Sequence, residues 1–208
     1  MVVKKKQFSI WEEIKDTPNN EEGIIEKISI LSPMLSYISS VNTMEIYNKR
    51  KENSLDTIKE RDFDNVFIEL LILEMFLVDC IFNFANIKNK AKYRQILLQE
   101  TISVLELIVS ERELSSEFDE SEFTNKLNKR VREYTRLNNS KSLEDLFNQD
   151  FFESFRTKIG DLLILHKNNS LLIDFQKEII KSVKALELDK LFNIYEEHNK
   201  GNSSKTKN

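Results

Sequence analysis

Glycine, proline, cysteine and histidine are all scarce in this chain of 208 residues, with 3, 2, 1 and 2 copies. Gly23, Gly160 and Gly201 lie too far apart for a G-x-G-x-x-G turn or a Walker A loop, which need clustered glycines where backbone meets phosphate. So few glycines also exclude a sandwich or barrel with its many φ > 0 turns. Two prolines leave room for long uninterrupted helices. One cysteine, Cys80, excludes an internal disulfide framework and cysteine-based zinc or iron–sulfur centres, and fits a reducing compartment. His166 and His198 are too few for a three-histidine site. Neither H-E-x-x-H nor E-x-x-H occurs, which removes zincin and di-iron bundle chemistry. No metal and no cofactor is expected.

Lys and Arg number 31 against 35 Asp and Glu, so the net charge of −4 offers no general attraction to nucleic acid. Lys4-Lys5-Lys6 is followed by Phe8-Ser9-Ile10-Trp11 and then at once by Glu12-Glu13, too short an apolar run for a signal peptide. Val66 to Ile87 is long enough to span a bilayer. It carries Glu69, Glu74 and Asp79, however, each costing about 2.5–3.5 kcal/mol near the bilayer centre. A buried helix of a soluble, cytoplasmic protein is the expectation, with no membrane partner.

What the sequence does hold is helical periodicity. Phe8, Trp11 and Ile14 mark a helix over 7–16. Asn20 caps a second, with Glu21 and Glu22 favourably placed against its dipole. Ser32-Pro33 then reads as the start of a new or kinked helix running to about 51. Ser54 caps a helix from 55 to about 86, and another runs from 90 to about 114. These two are expected to form a central hydrophobic hairpin. Further helices are expected over 123–137, over 143–166 as one piece or two, and over 171–198. The fold class is therefore all-α, an antiparallel multi-helix bundle of about seven helices. It forms one domain over 1–200, with an N-terminal subregion over 1–53 and a disordered tail from 201 to 208.

Misplaced charges supply the candidate sites. In the 55–86 helix, Asn65, Glu69, Asp79, Asn83 and Asn86 fall on one face, the expected solvent stripe. Glu74 lies opposite, among Leu70, Leu71, Met75 and Val78, where a carboxylate needs a partner or a raised pKa. A hydrogen bond to Arg, Tyr or Ser on another helix would satisfy it. Arg94 and Glu100 are similar misfits on the next helix, with Arg94 nearer in height to Asp79 than to Glu74.

Residues 123–136 hold five bases, Lys126, Lys129, Arg130, Arg132 and Arg136, against one acid, Glu133. They are candidate nucleic-acid contacts, although their spread around the helix, the interruption at Glu133 and i,i+4 pairs such as Glu122 to Lys126 favour a solvated face. Arg156 and His166 are added to that set because the segment resembles the Arg…His element of HEPN-type helical ribonucleases. The resemblance covers about a dozen residues. Nine residues intervene here instead of about four to six, and Asp161 stands where the histidine would fall at four. Phe151 and Phe152 point about 100° apart on a short helix, so one of them is a candidate partner surface. Cys80 reads as an inert core thiol.

The composition as a whole favours a non-catalytic protein-interaction or regulatory module whose partner is another protein or a second copy. A helical RNA-binding protein or HEPN-like ribonuclease, and a bundle holding an apolar ligand, are the alternatives.

Overall fold

The structure, a computed structural model, describes residues 14, 17–18, 20–52, 60–85, 87–111, 119–141, 143–146, 150–162 and 169–192. Every regular element among these residues is a helix. In chain order they are α1 (Glu21–Glu52), α2 (Glu60–Phe84), α3 (Lys90–Glu111), α4 (Glu120–Leu137), α5 (Leu143–Leu146), α6 (Phe151–Leu162), α7 (Asn169–Lys184) and α8 (Leu188–Leu191). The segments α5 and α8 are 4 residues each, and the other six helices run from 12 to 32 residues.

The centre is α2. Val66, Leu70 to Leu73, Met75 to Val78, Ile81 and Phe82 are all buried, so the helix is covered on every side over its middle turns. A helix apolar all round is stable only inside other helices. Accordingly α2 packs against α1, α3, α4, α5, α6 and α8.

At its start α1 is capped as expected, the Asn20 side-chain oxygen accepting from the Gly23 N–H at 2.8 Å. The helix then runs unbroken through Pro33. Ser32 does not begin a new helix. It is buried, and its carbonyl accepts from the Ser36 hydroxyl at 3.2 Å. The apolar stripe of Ile28, Leu31 and Leu35 stays in register across the proline, whose ring faces solvent. Packed on α2 and α3, the segments before and after the proline thus belong to one helix.

In the connection between α2 and α3, Asn89 adopts φ 57°. An Arg94–Asp79 ion pair and a Lys90–Asn83 hydrogen bond of 3.1 Å join the two arms of this hairpin. Each arm is nevertheless packed more extensively against α1 than against the other. The core is thus three helices, not a hairpin alone.

On the far side of α2, α4 begins with Asp119, whose side chain accepts from Glu122 N–H at 2.9 Å. The 143–166 segment divides into α5 and α6. Phe76, Tyr134 and Phe151 meet with centroids 5.1–5.8 Å apart. Gly160 lets α7 approach α6, since a Cβ there would lie 3.1 Å from Leu172 Cδ1. The last long helix stops at Lys184, and Glu187 then takes the left-handed conformation (φ 46°) before α8.

Of the 7–16 helix only Ile14 is described, and it is buried. Ser54, His166 and the 201–208 tail lie outside the described residues.

A Cβ on Gly23 would stand 2.1 Å from the Pro18 carbonyl oxygen, a backbone atom that cannot swing aside. Gly23→Ala is expected to lower stability by roughly 1–3 kcal/mol despite alanine's higher helix propensity. Urea unfolding reads this directly, and a stabilised variant would contradict it.

Candidate functional site

Glu74 is fully buried on α2. Its Oε2 accepts from the Ser39 hydroxyl of α1 at 2.9 Å. Asn42, three residues further along α1, lies beside the carboxyl and accepts from the Ser182 hydroxyl of α7 at 3.3 Å. Three helices are therefore linked through one small polar cluster. Among the described residues Glu74 Oε1 and Asn42 Nδ2 have no hydrogen-bond partner. Burial pushes the Glu74 pKa well above the carboxylate range, and the Ser39 and Asn42 contacts oppose that rise only in part. The Ser39 bond gives this carboxyl a partner on another helix.

Arg94 and Glu100 stand apart from Glu74. Arg94 is exposed and pairs across the hairpin with Asp79 of α2. Glu100 is half-buried on α3. Among the described residues none of these three bonds to another. Nor does any group of three His, Cys, Asp or Glu there have the geometry to hold a metal ion.

A second buried carboxylate went unseen in the sequence. Glu69, placed on the solvent stripe, is only 1% exposed. Arg130 of α4 grips it with two bonds, Nε to Oε2 at 2.9 Å and Nη2 to Oε1 at 2.8 Å. Lys126 adds an ion pair at 3.4 Å. The available signal was the charge imbalance of 123–136, where bases without local acids need a partner from elsewhere in the fold.

Around this pair the polar contacts continue. Arg130 Nη1 reaches Glu133 at 3.4 Å, and Glu133 also accepts from Ser154 and Lys158 of α6. Burial alone would raise the Glu133 carboxyl, but the bonds from Lys158 and Ser154 outweigh it and hold it below the ordinary range. Lys158 Nζ lies 2.6 Å from Ser154 Oγ, a spacing that could serve a serine nucleophile. Ser154 itself donates to Glu133, however, and Lys158 donates to both groups, so the three close a hydrogen-bonded triangle. Lys158 also caps the ring of Tyr134 at 5.9 Å. The Tyr134 hydroxyl is buried without a hydrogen bond among the described residues, and burial, reinforced by Glu69, raises its pKa so that it stays protonated.

The five bases of α4 are thereby divided. Lys126 and Arg130 face inward on Glu69. Lys129, Arg132 and Arg136 are exposed and line an open depression of about 560 Å³ with Asn125 and Asn128. Arg156 is half-buried on α6, and its pairing with His166 falls outside the described residues.

Phe151 and Phe152 do not offer a partner surface. Both are buried, because α6 is enclosed by α2, α4 and α7, and their rings stack 4.6 Å apart. The exposed apolar residues lie elsewhere, at Tyr37, Val41 and Met44 of α1, with Leu107 and Ile173 on other helices. Cys80 is buried, and that burial, with Asp79 adding, pushes its thiol up to about 12.

Comparison with protein-family models, curated proteins and solved structures finds no match to this chain.

Two substitutions test the buried carboxyls. Because the folded pKa of Glu74 is raised, the folded state holds a proton that the unfolded chain releases above the ordinary value of 4.5. Its contribution is complete below that pH and declines as pH rises, by up to about 1.4 kcal/mol per unit. Relative to Glu74→Gln, the parent protein should lose stability steadily from pH 5 upward. Parallel stability–pH curves would refute a protonated Glu74.

Removing Arg130 leaves Glu69 buried with only Lys126. Arg130→Met is expected to cost roughly 3–5 kcal/mol, and adding Glu69→Met should recover most of it. A loss below about 1 kcal/mol would mark the pair as no stronger than a surface bridge.

Proposed function

We propose that the protein is a non-catalytic interaction module that pairs with a second copy of itself through α1. One observation carries this reading. From Ile28 to Met44 the sequence has no Asp, Glu, Lys or Arg, yet one face of this segment looks outward. Tyr37, Val41 and Met44 on that face are 49%, 39% and 47% exposed. The half-buried Ile30 and Met34 continue the row, giving steps of four, three, four and three residues.

That alternation is the seam of a two-helix coiled coil, in which such positions insert between those of a facing helix. The opposite side of α1 already packs against α2 and α3, so only the outward row is left for a partner. A symmetric pair brings the same patch to itself, which demands self-complementarity. An uncharged apolar row meets that demand, since its copy opposes it with no like charge. Leu107 and Ile173 are single exposed apolar residues of the kind any surface carries.

Glu21–Ile46 is also long and apolar enough to cross a membrane by length and composition, with a mean hydropathy of 1.2. Burial of 44% of that window inside the bundle favours a helix that is one wall of a core and presents a single strip outward.

Sedimentation analysis of the full chain is expected to show a concentration-dependent dimer. Tyr37→Glu with Met44→Glu should yield a monomer of unchanged helical content, because both side chains already face water. A monomeric parent protein at high concentration, or a dimer indifferent to both substitutions, would overturn the proposal.

A further inference from the structure

We infer that the outer face of α4 is a binding site for the phosphodiester backbone of single-stranded nucleic acid. Lys129, Arg132 and Arg136 lie at i, i+3 and i+7, so they form one row along the helix. Their heights step by about 4.5 Å and then about 6 Å. All three are exposed, and none is neutralised by a carboxylate among the described residues. Glu133 borders the same depression, but its oxygens are engaged by Arg130, Lys158 and Ser154. The two inward bases of the helix are held by Glu69, which makes the division of labour on α4 explicit.

The lining identifies the chemistry. Two guanidinium groups present paired donors that match phosphate oxygens. Asn125 and Asn128 add neutral donors of the type that contacts phosphate and sugar. Leu137, half-buried, is the one apolar side chain in the lining. A protein partner anchors on buried aromatic and apolar groups. This surface has almost nothing of that kind to bury, whereas a phosphate chain needs only charge and hydrogen bonds.

The extent of the row sets the length and form of the ligand. Glu122 and Glu120 occupy the first turn of α4 and close the basic row on that side. The footprint is therefore the last two to three turns, room for about three phosphates of one strand. No aromatic side chain lines the depression, so bases have no stacking platform and contact is to the backbone, without sequence preference. RNA and DNA single strands share this chemistry, and the test includes both.

Fluorescence anisotropy with labelled oligo(U) and oligo(dT), titrated with the full chain at several salt concentrations, tests the site. Three phosphate contacts predict a log K against log salt slope near −2 for single strands. Arg132→Gln with Arg136→Gln should reduce the slope by about 1.4 and weaken binding roughly 60-fold at 50 mM salt. Lys126→Gln should leave both unchanged, because that lysine is turned toward Glu69. Binding of oligo(U) and oligo(dT) alike supports a backbone contact without 2′-hydroxyl readout, and binding of only one overturns it. The proposal also fails if neither strand binds at low salt, or if the double variant binds like the parent. Equal binding of poly-glutamate would assign the row to acidic polypeptides instead. Tighter binding of a duplex would overturn the single-strand assignment. Circular dichroism of each variant confirms that the exposed substitutions leave the fold intact.

Discussion

Burial of α2 on all sides sets the terms for the other helices. Residues such as Leu70, Leu73, Phe76 and Val78 face different directions around one axis, and none can be left in water without losing the main favourable contribution to folding. Six other elements are consequently arranged around this helix. The long α1 and α3 close one side, and α4, α5, α6 and α8 close the rest. Each covering helix needs only one apolar stripe, which is why its remaining faces are free to be polar, basic or, in α1, plainly apolar.

Two carboxylates on this enclosed helix are handled by opposite physical means. Glu69 is matched by the basic side chains of Arg130 and Lys126. Glu74 meets no base, only hydroxyl and amide groups, and burial drives it toward the neutral acid. The difference follows from the neighbours. Toward α4 the packing helix brings long basic side chains. Toward α1 it brings Ser39, Asn42 and Thr43, which are short and neutral. Both arrangements restrict how helices slide past one another, because displacement would strand a buried polar group.

Local periodicity makes the helical class and the capping of α1 by Asn20 readable from the sequence. These features depend on residues three or four apart. Glu69 was misplaced because counting angles presumes one wet face, and α2 has none over its middle turns. Its partner lies 61 residues away, beyond any local pattern. Arg94 stays at the surface because its partner, Asp79 across the hairpin, is itself only partly covered. Phe151 and Phe152 were thought divided between core and surface, yet a helix enclosed from three sides buries both. The three outer bases of α4 could be told from the two inner ones only once Glu69 had a location.

The separation between Glu69 and Arg130 also has a meaning in time. A ribosome adding about 5–20 residues per second makes α2 roughly 3–12 s before it makes the arginine. In that interval α1 and α3 can cover their side of α2, while the side awaiting α4 and α6 stays open. A charge amid that open apolar surface keeps it hydrated and repels the same surface on a neighbouring nascent chain. The fastening of α2 to α4 through Glu69 is thus a late contact, closed only when the later part of the chain is present.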